Sequence, residues 1–106
     1  MTPRKKWAPD WKTSQQPTRE NSEDAFWAEF EDASGKSVQV RITAQDLKEF
    51  GQAPPELERK GHHTEQVLRA ILETYVEKHG KAVPNIDAQD LGYDITILKR
   101  KFAEDC

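Results

Sequence analysis

The 106-residue chain, with 35% hydrophobic and 33% charged residues, is one domain at most. It can build one sheet and a helix layer, but not a deep, enclosed active site. Its net charge of −3 conceals an asymmetry. Residues 1–19 hold Arg4, Lys5, Lys6, Lys12 and Arg19 against Asp10 alone (net +4), whereas residues 20–98 hold eight Lys/Arg against sixteen Asp/Glu (net −8). Most of the surface therefore repels nucleic acid, and only the basic arm or a local patch could touch it.

Cys106 is the only cysteine, so an intramolecular disulfide and a cysteine-based zinc site are both excluded, which fits a reducing compartment. No apolar run approaches the roughly 18 residues of a membrane span. The basic N-terminus has no apolar stretch behind it, so no secretory leader is expected and the cytoplasm is the default location.

Residues 1–24 read as a flexible basic arm. They contain Pro3, Pro9 and Pro17 among Ser14, Gln15 and Gln16, with neither a helical nor a strand period, and such a composition buries too little surface to offset its ordering entropy. Trp7 and Trp11 stand out. Either their rings pack on the domain as a lid, or they bind a partner.

From residue 25 onward the sequence reads as a single small domain. Phe26, Ala28 and Phe30 alternate with Trp27, Glu29 and Glu31, and Val38, Val40 and Ile42 alternate with Gln39, Arg41 and Thr43. This is the strand period, and it predicts strands at about 26–31 and 37–43. Between them, Asp32-Ala33-Ser34-Gly35 suits a type I turn closed by a left-handed glycine. That turn pairs Asp32 with Lys36, and the register follows: Phe30 faces Val38, Ala28 faces Val40 and Phe26 faces Ile42. Glu29–Gln39 and Trp27–Arg41 fall on the other face. A one-residue slip would oppose Phe30 to Ser37 and bury charge.

Thr43-Ala44-Gln45-Asp46 reads as a capped helix start, with Leu47 and Phe50 on its apolar side and Gly51 at its end. Pro54–Gly61 suits one further turn. The main helix is expected over 64–79, with Thr64 as N-cap and Gly80 just past its end. Its apolar residues, Val67, Leu68, Ile71, Leu72, Tyr75 and Val76, span an arc of about 180°, where one sheet face needs about 100°. A second covering is therefore required: the C-terminal segment, the arm or another subunit. Glu65–Arg69 is a well-oriented i,i+4 pair on the polar side.

Asp87–Gly92 suggests a helical turn. Residues 93–98 are β-branched and alternating, and predict a third strand that extends the hairpin, although Ile95, Leu98 and Phe102 also fit a helix stripe. The fold class expected is α+β.

Chemistry is sparse. His62 and His63 are adjacent and far from His79, without metal-ligand spacing. The carboxylates are scattered, Ser34 and Ser37 have no placed base, and the glycines are isolated. No catalytic, metal or cofactor site is expected. Trp27 and Arg41 would form a cation–π pair on the outer sheet face, and such residues commonly anchor interfaces. A non-catalytic protein-binding or regulatory domain, such as an inhibitor, adaptor or accessory subunit, is the reading these residues favour. Its candidate contacts are Trp27, Gln39, Arg41, Thr43, Trp7 and Trp11.

Ser37-Val-Gln-Val-Arg-Ile-Thr43, the helix at 44–50 and the helix opening at Thr64 also resemble the ribbon–helix–helix DNA-binding proteins. The resemblance implies an intertwined dimer whose paired ribbons enter the major groove, with Gln39, Arg41 and Thr43 facing the bases. Monomer and homodimer both remain open.

Overall fold

The computed structural model describes residues 7–20, 24–50 and 62–104. The turn expected over Pro54–Gly61 and the stop at Gly51 lie outside them. Four strands, β1 (Lys12–Arg19), β2 (Ala25–Glu31), β3 (Ser37–Thr43) and β4 (Asn85–Asp87), form one mixed sheet in the order β1-β2-β3-β4. Among the described residues, three helices accompany it: α1 (Ala44–Lys48), α2 (His62–His79) and α3 (Asp94–Glu104), with a 3-10 turn at Ala88–Leu91. The fold is α+β, as the sequence predicts.

The hairpin adopts the predicted register throughout, with Phe30 opposite Val38, Ala28 opposite Val40, Phe26 opposite Ile42, and Trp27 opposite Arg41. Its cause is local. Gly35 sits at φ +89°, a conformation that costs other residues about 1 kcal/mol or more. The Asp32 N–H donates to the Lys36 carbonyl at 3.0 Å, and the Asp32 carboxylate accepts from the backbone N–H groups of Ser34 and Lys36. Thr43 caps α1 by accepting from the Asp46 N–H at 3.2 Å. Gly80, at φ +74°, closes α2 through a 2.7 Å bond to the Val76 carbonyl.

Four expectations are corrected. First, the arm assigned to 1–24 contains a strand. β1 pairs antiparallel with β2, with two register irregularities, and Thr13 lies opposite Phe30. The polar residues 12–19 show no apolar period because β1 is an edge strand with few buried positions.

Second, the third strand is not at 93–98. That segment begins α3, whose buried side is Leu98 and Phe102 with Ile95 half-buried, so the 3.6-residue stripe prevailed over β-branching. The hairpin is instead extended by β1 on one side and by the short, parallel β4 on the other.

Third, α2 already includes His62, and Thr64 lies within its first turn. Packing extends the helix past its local cap signal: the His63 ring meets Phe102 edge-on, with centroids 6.0 Å apart. Fourth, both edges of β3 are paired within the chain. The strand that the ribbon–helix–helix resemblance would pair with a second subunit is paired here with β2 and, at Gln39–Arg41, with β4.

The second covering of α2 comes from α3 and from Trp7. Leu98 and Phe102 are buried, and the Trp7 ring, 5% exposed, stacks on Phe102 at 5.7 Å and 10°. Phe50 meets the same ring edge-on at 5.3 Å. Lys99 ties α3 to α1 through Glu49 and Asp46.

Arg69 fixes the segment 7–13 in place. Far from lying on a polar flank, its guanidinium donates to the carbonyls of Ala8 (2.9 Å), Trp11 (2.8 Å) and Trp7 (3.4 Å), and to the Thr13 hydroxyl (2.7 Å). It also bonds Glu65 at 3.3 Å and lies 5.2 Å from the centre of the Phe30 ring. Ala8 adopts φ +46°, a strain that its bonded carbonyl offsets.

Arg69→Ala is expected to lower stability by about 2–3 kcal/mol, since partly buried carbonyls lose charged donors. Arg69→Lys should recover only part of this, because one ammonium cannot span the fork. Urea unfolding measures the loss, and amide exchange should localise it to residues 11–19.

The Asp32 carboxyl is held below its ordinary 3.8 chiefly by the Ser34 side chain and then by the Lys36 backbone N–H. A lowered folded-state value means that its contribution is complete above 3.8 and lost as pH falls through the folded-state value. The stability gap between the native chain and Asp32→Ala should therefore narrow below that pH in urea titrations.

Candidate functional site

Alternation along the strands divides the sheet. Ala28, Phe30, Val38, Val40, Ile42 and Ile86 are buried in one cluster with Val67, Leu68, Ile71 and Leu72 of α2. The opposite face carries Trp27, Glu29, Glu31, Gln39, Arg41 and Thr43, all of which keep solvent contact. Two rows of side chains cross it. Thr18, Trp27, Arg41 and Asp87 lie side by side across all four strands, and Gln15, Glu29, Gln39 and Asn85 form the next row.

Arg41 is the electrostatic centre of the face. Its Nη1 donates to Asp87 Oδ2 at 2.8 Å and its Nε to Glu20 Oε1 at 3.2 Å, all three side chains being about 27–31% exposed. The hydrogen bond to Asp87 raises the Arg41 pKa against a smaller opposing effect of burial, and Glu20 adds to the rise. A guanidinium held by two carboxylates is oriented and neutralised, and this disfavours its use as a free phosphate contact. Ser14 donates to Glu29 at 2.9 Å, so β1 also contributes to the ordering of this face.

The six sequence candidates separate. Trp27, Gln39 and Arg41 share the outer face, Trp27 half-buried and Gln39 exposed. Thr43 lies on the same face, but its hydroxyl caps α1. Trp7 is buried against Phe102, and Trp11 packs against the core with its carbonyl bonded to Arg69. The lid reading of the arm therefore holds for both rings.

Glu20 and Asp87, the partners of Arg41, were not legible in the sequence. Asp87 arrives through a three-residue parallel strand that leaves no period. Glu20 lies just beyond an edge strand that the composition conceals.

His63 packs on Phe102 and His79 on Tyr75 at 4.3 Å, at opposite ends of α2. Among the described residues, no group of three or more His, Cys, Asp or Glu could hold a metal ion, and no helix is long and apolar enough to cross a membrane. No family model, no curated protein and no solved structure matches the chain, so the functional reading rests on geometry alone.

Proposed function

We propose that the chain is a non-catalytic protein-binding module whose partner docks on the outer face of the sheet, around Trp27 and Gln39. The observation that carries this is a half-buried tryptophan on an inner strand of the outer sheet face, with Thr18, Arg41 and Glu29 as its polar neighbours. An aromatic anchor inside a polar rim is the arrangement that supplies most binding energy at protein interfaces.

The face is favoured over the edges of the sheet. On β1, Pro17 removes a donor, and the Gln16 carbonyl accepts from the Gln15 side chain (3.4 Å) and the Thr18 hydroxyl (3.0 Å). On the other side, β4 has three residues and ends in a capping box made by Asp87 and Asp90. Both are devices that discourage strand addition. The acidic body and the paired Arg41 favour a protein over a nucleic acid, and the lone Cys106 suits a reducing compartment such as the cytoplasm.

A photoreactive phenylalanine analogue at position 39, with a control at Gln89, tests this reading in cells. The expected result is a discrete adduct from position 39 alone. Purified native chain should compete it away, and Trp27→Ala should compete at least about tenfold less well while keeping its circular dichroism. Equal competition by Trp27→Ala overturns the reading. So does salt-sensitive duplex binding that is lost in Arg41→Ala, which would make the face a nucleic-acid surface.

A further inference from the structure

The helix layer carries a second surface, separate from the sheet face and independent of the proposal above. A groove of about 310 Å3 runs between α2 and α3, lined by Thr74, Glu77 and Lys78 on one side and Asp94, Ile97, Leu98 and Lys101 on the other. Ile97 (42%) and Tyr93 (73%), the residue just before α3, are the exposed large hydrophobic residues among the described residues. Tyr93, Ile97 and Arg100 follow one another at spacings of four and three, the period that keeps residues on one seam between paired helices. Leu98 and Phe102 face away from this seam into the core.

We propose that this seam binds a second copy of the chain, α3 against α3, antiparallel about a two-fold axis at Ile97. The charge pattern selects both the occupant and the direction. Asp94 begins the helix, and Lys99, Arg100 and Lys101 follow its middle. An antiparallel pair centred on Ile97 puts Asp94 of each copy on the same flank of the seam as Lys101 of the other, and Tyr93 on the same flank as Arg100. Two ion pairs and two cation–aromatic contacts then flank a central Ile97–Ile97 contact.

A parallel pair would instead set Arg100 against Arg100 and Asp94 against Asp94, and would align the helix dipoles. The residues needed are exposed. Arg100 and Lys101 have no acidic partner among the described residues, and Asp94 shares a 3.4 Å contact with Lys78, both partly exposed. An interface of one short helix per copy is small, so the dimer is weak. Because the axis lies in the helix layer, the two sheet faces remain open, and each dimer presents two of them.

Sedimentation equilibrium of the full chain from about 5 µM to about 1 mM tests the proposal. The mass is expected to rise with concentration from the 12.2 kDa monomer toward twice that value. Ile97→Glu should weaken the dimer at least about tenfold. Lys101→Asp and Asp94→Lys should each weaken it about tenfold, and the double reversal should restore it to within about threefold of the native chain. Circular dichroism and urea unfolding confirm that each variant folds. A monomer at every concentration overturns the proposal, as does a dimer indifferent to Ile97→Glu. Failure of the double reversal to recover what Lys101→Asp removes also overturns it.

Discussion

One guanidinium connects the parts of this fold that the sequence leaves separate. Arg69 stands on α2, yet its donors reach three carbonyls of the segment 7–11 and the hydroxyl of Thr13, and its face lies over Phe30 of β2. Helix, central hairpin and N-terminal strand thus meet at one side chain. The geometry requires arginine, because only a planar fork can donate in several directions at once while stacking on a ring. Glu65, one turn earlier, balances its charge and also accepts from Thr13. A polar segment with little apolar surface of its own is therefore ordered by charged hydrogen bonds to backbone, and Trp7 adds the burial that completes the attachment.

That attachment has consequences on the far side of the sheet. Once Thr13 is pinned, β1 runs along β2 and brings Ser14 to Glu29, and its end delivers Glu20 to Arg41. From the other direction, α2 and its glycine stop return the chain to β4, which places Asp87 on the same guanidinium. The outer face is thus assembled from three separate stretches of chain. Its order depends on the inner packing.

The parts legible in the sequence are those decided within a few residues. The hairpin register follows from one turn and two alternating strands, Thr43 from a cap three residues before its donor, and Gly80 from the end of an apolar period. Such features need no distant partner to be stable, and the residue pattern carries them in full. What could not be read depends on partners far along the chain. β1 is a strand because β2 and Arg69 are nearby in space, some 15 to 56 residues distant in sequence. Residues 93–98 have strand-forming side chains, but the burial of Leu98 and Phe102 at helical spacing, with Ile95 half-buried, selects the helix. The pair Glu65–Arg69 was visible as an i,i+4 spacing, whereas the carbonyls that give it importance were not.

The site shows the same division. Trp27, Gln39 and Arg41 were placed on one face by alternation alone, because a period of two needs no tertiary knowledge. Which of them stays available is a tertiary matter. Arg41 is held by carboxylates from two remote segments, Thr43 is used as a cap, Trp7 is buried on Phe102 and Trp11 packs against the core. The width of the apolar arc on α2 signalled that something must cover it, and α3 with Trp7 does so within one chain. The covering helix then has its own far side. There the same alternation of apolar and charged residues, exposed at Tyr93, Ile97 and Arg100, repeats at the surface the question that the arc of α2 posed inside. A helix recruited to complete a core leaves one face outward, and the chemistry of that face decides whether the fold ends there or continues into another copy.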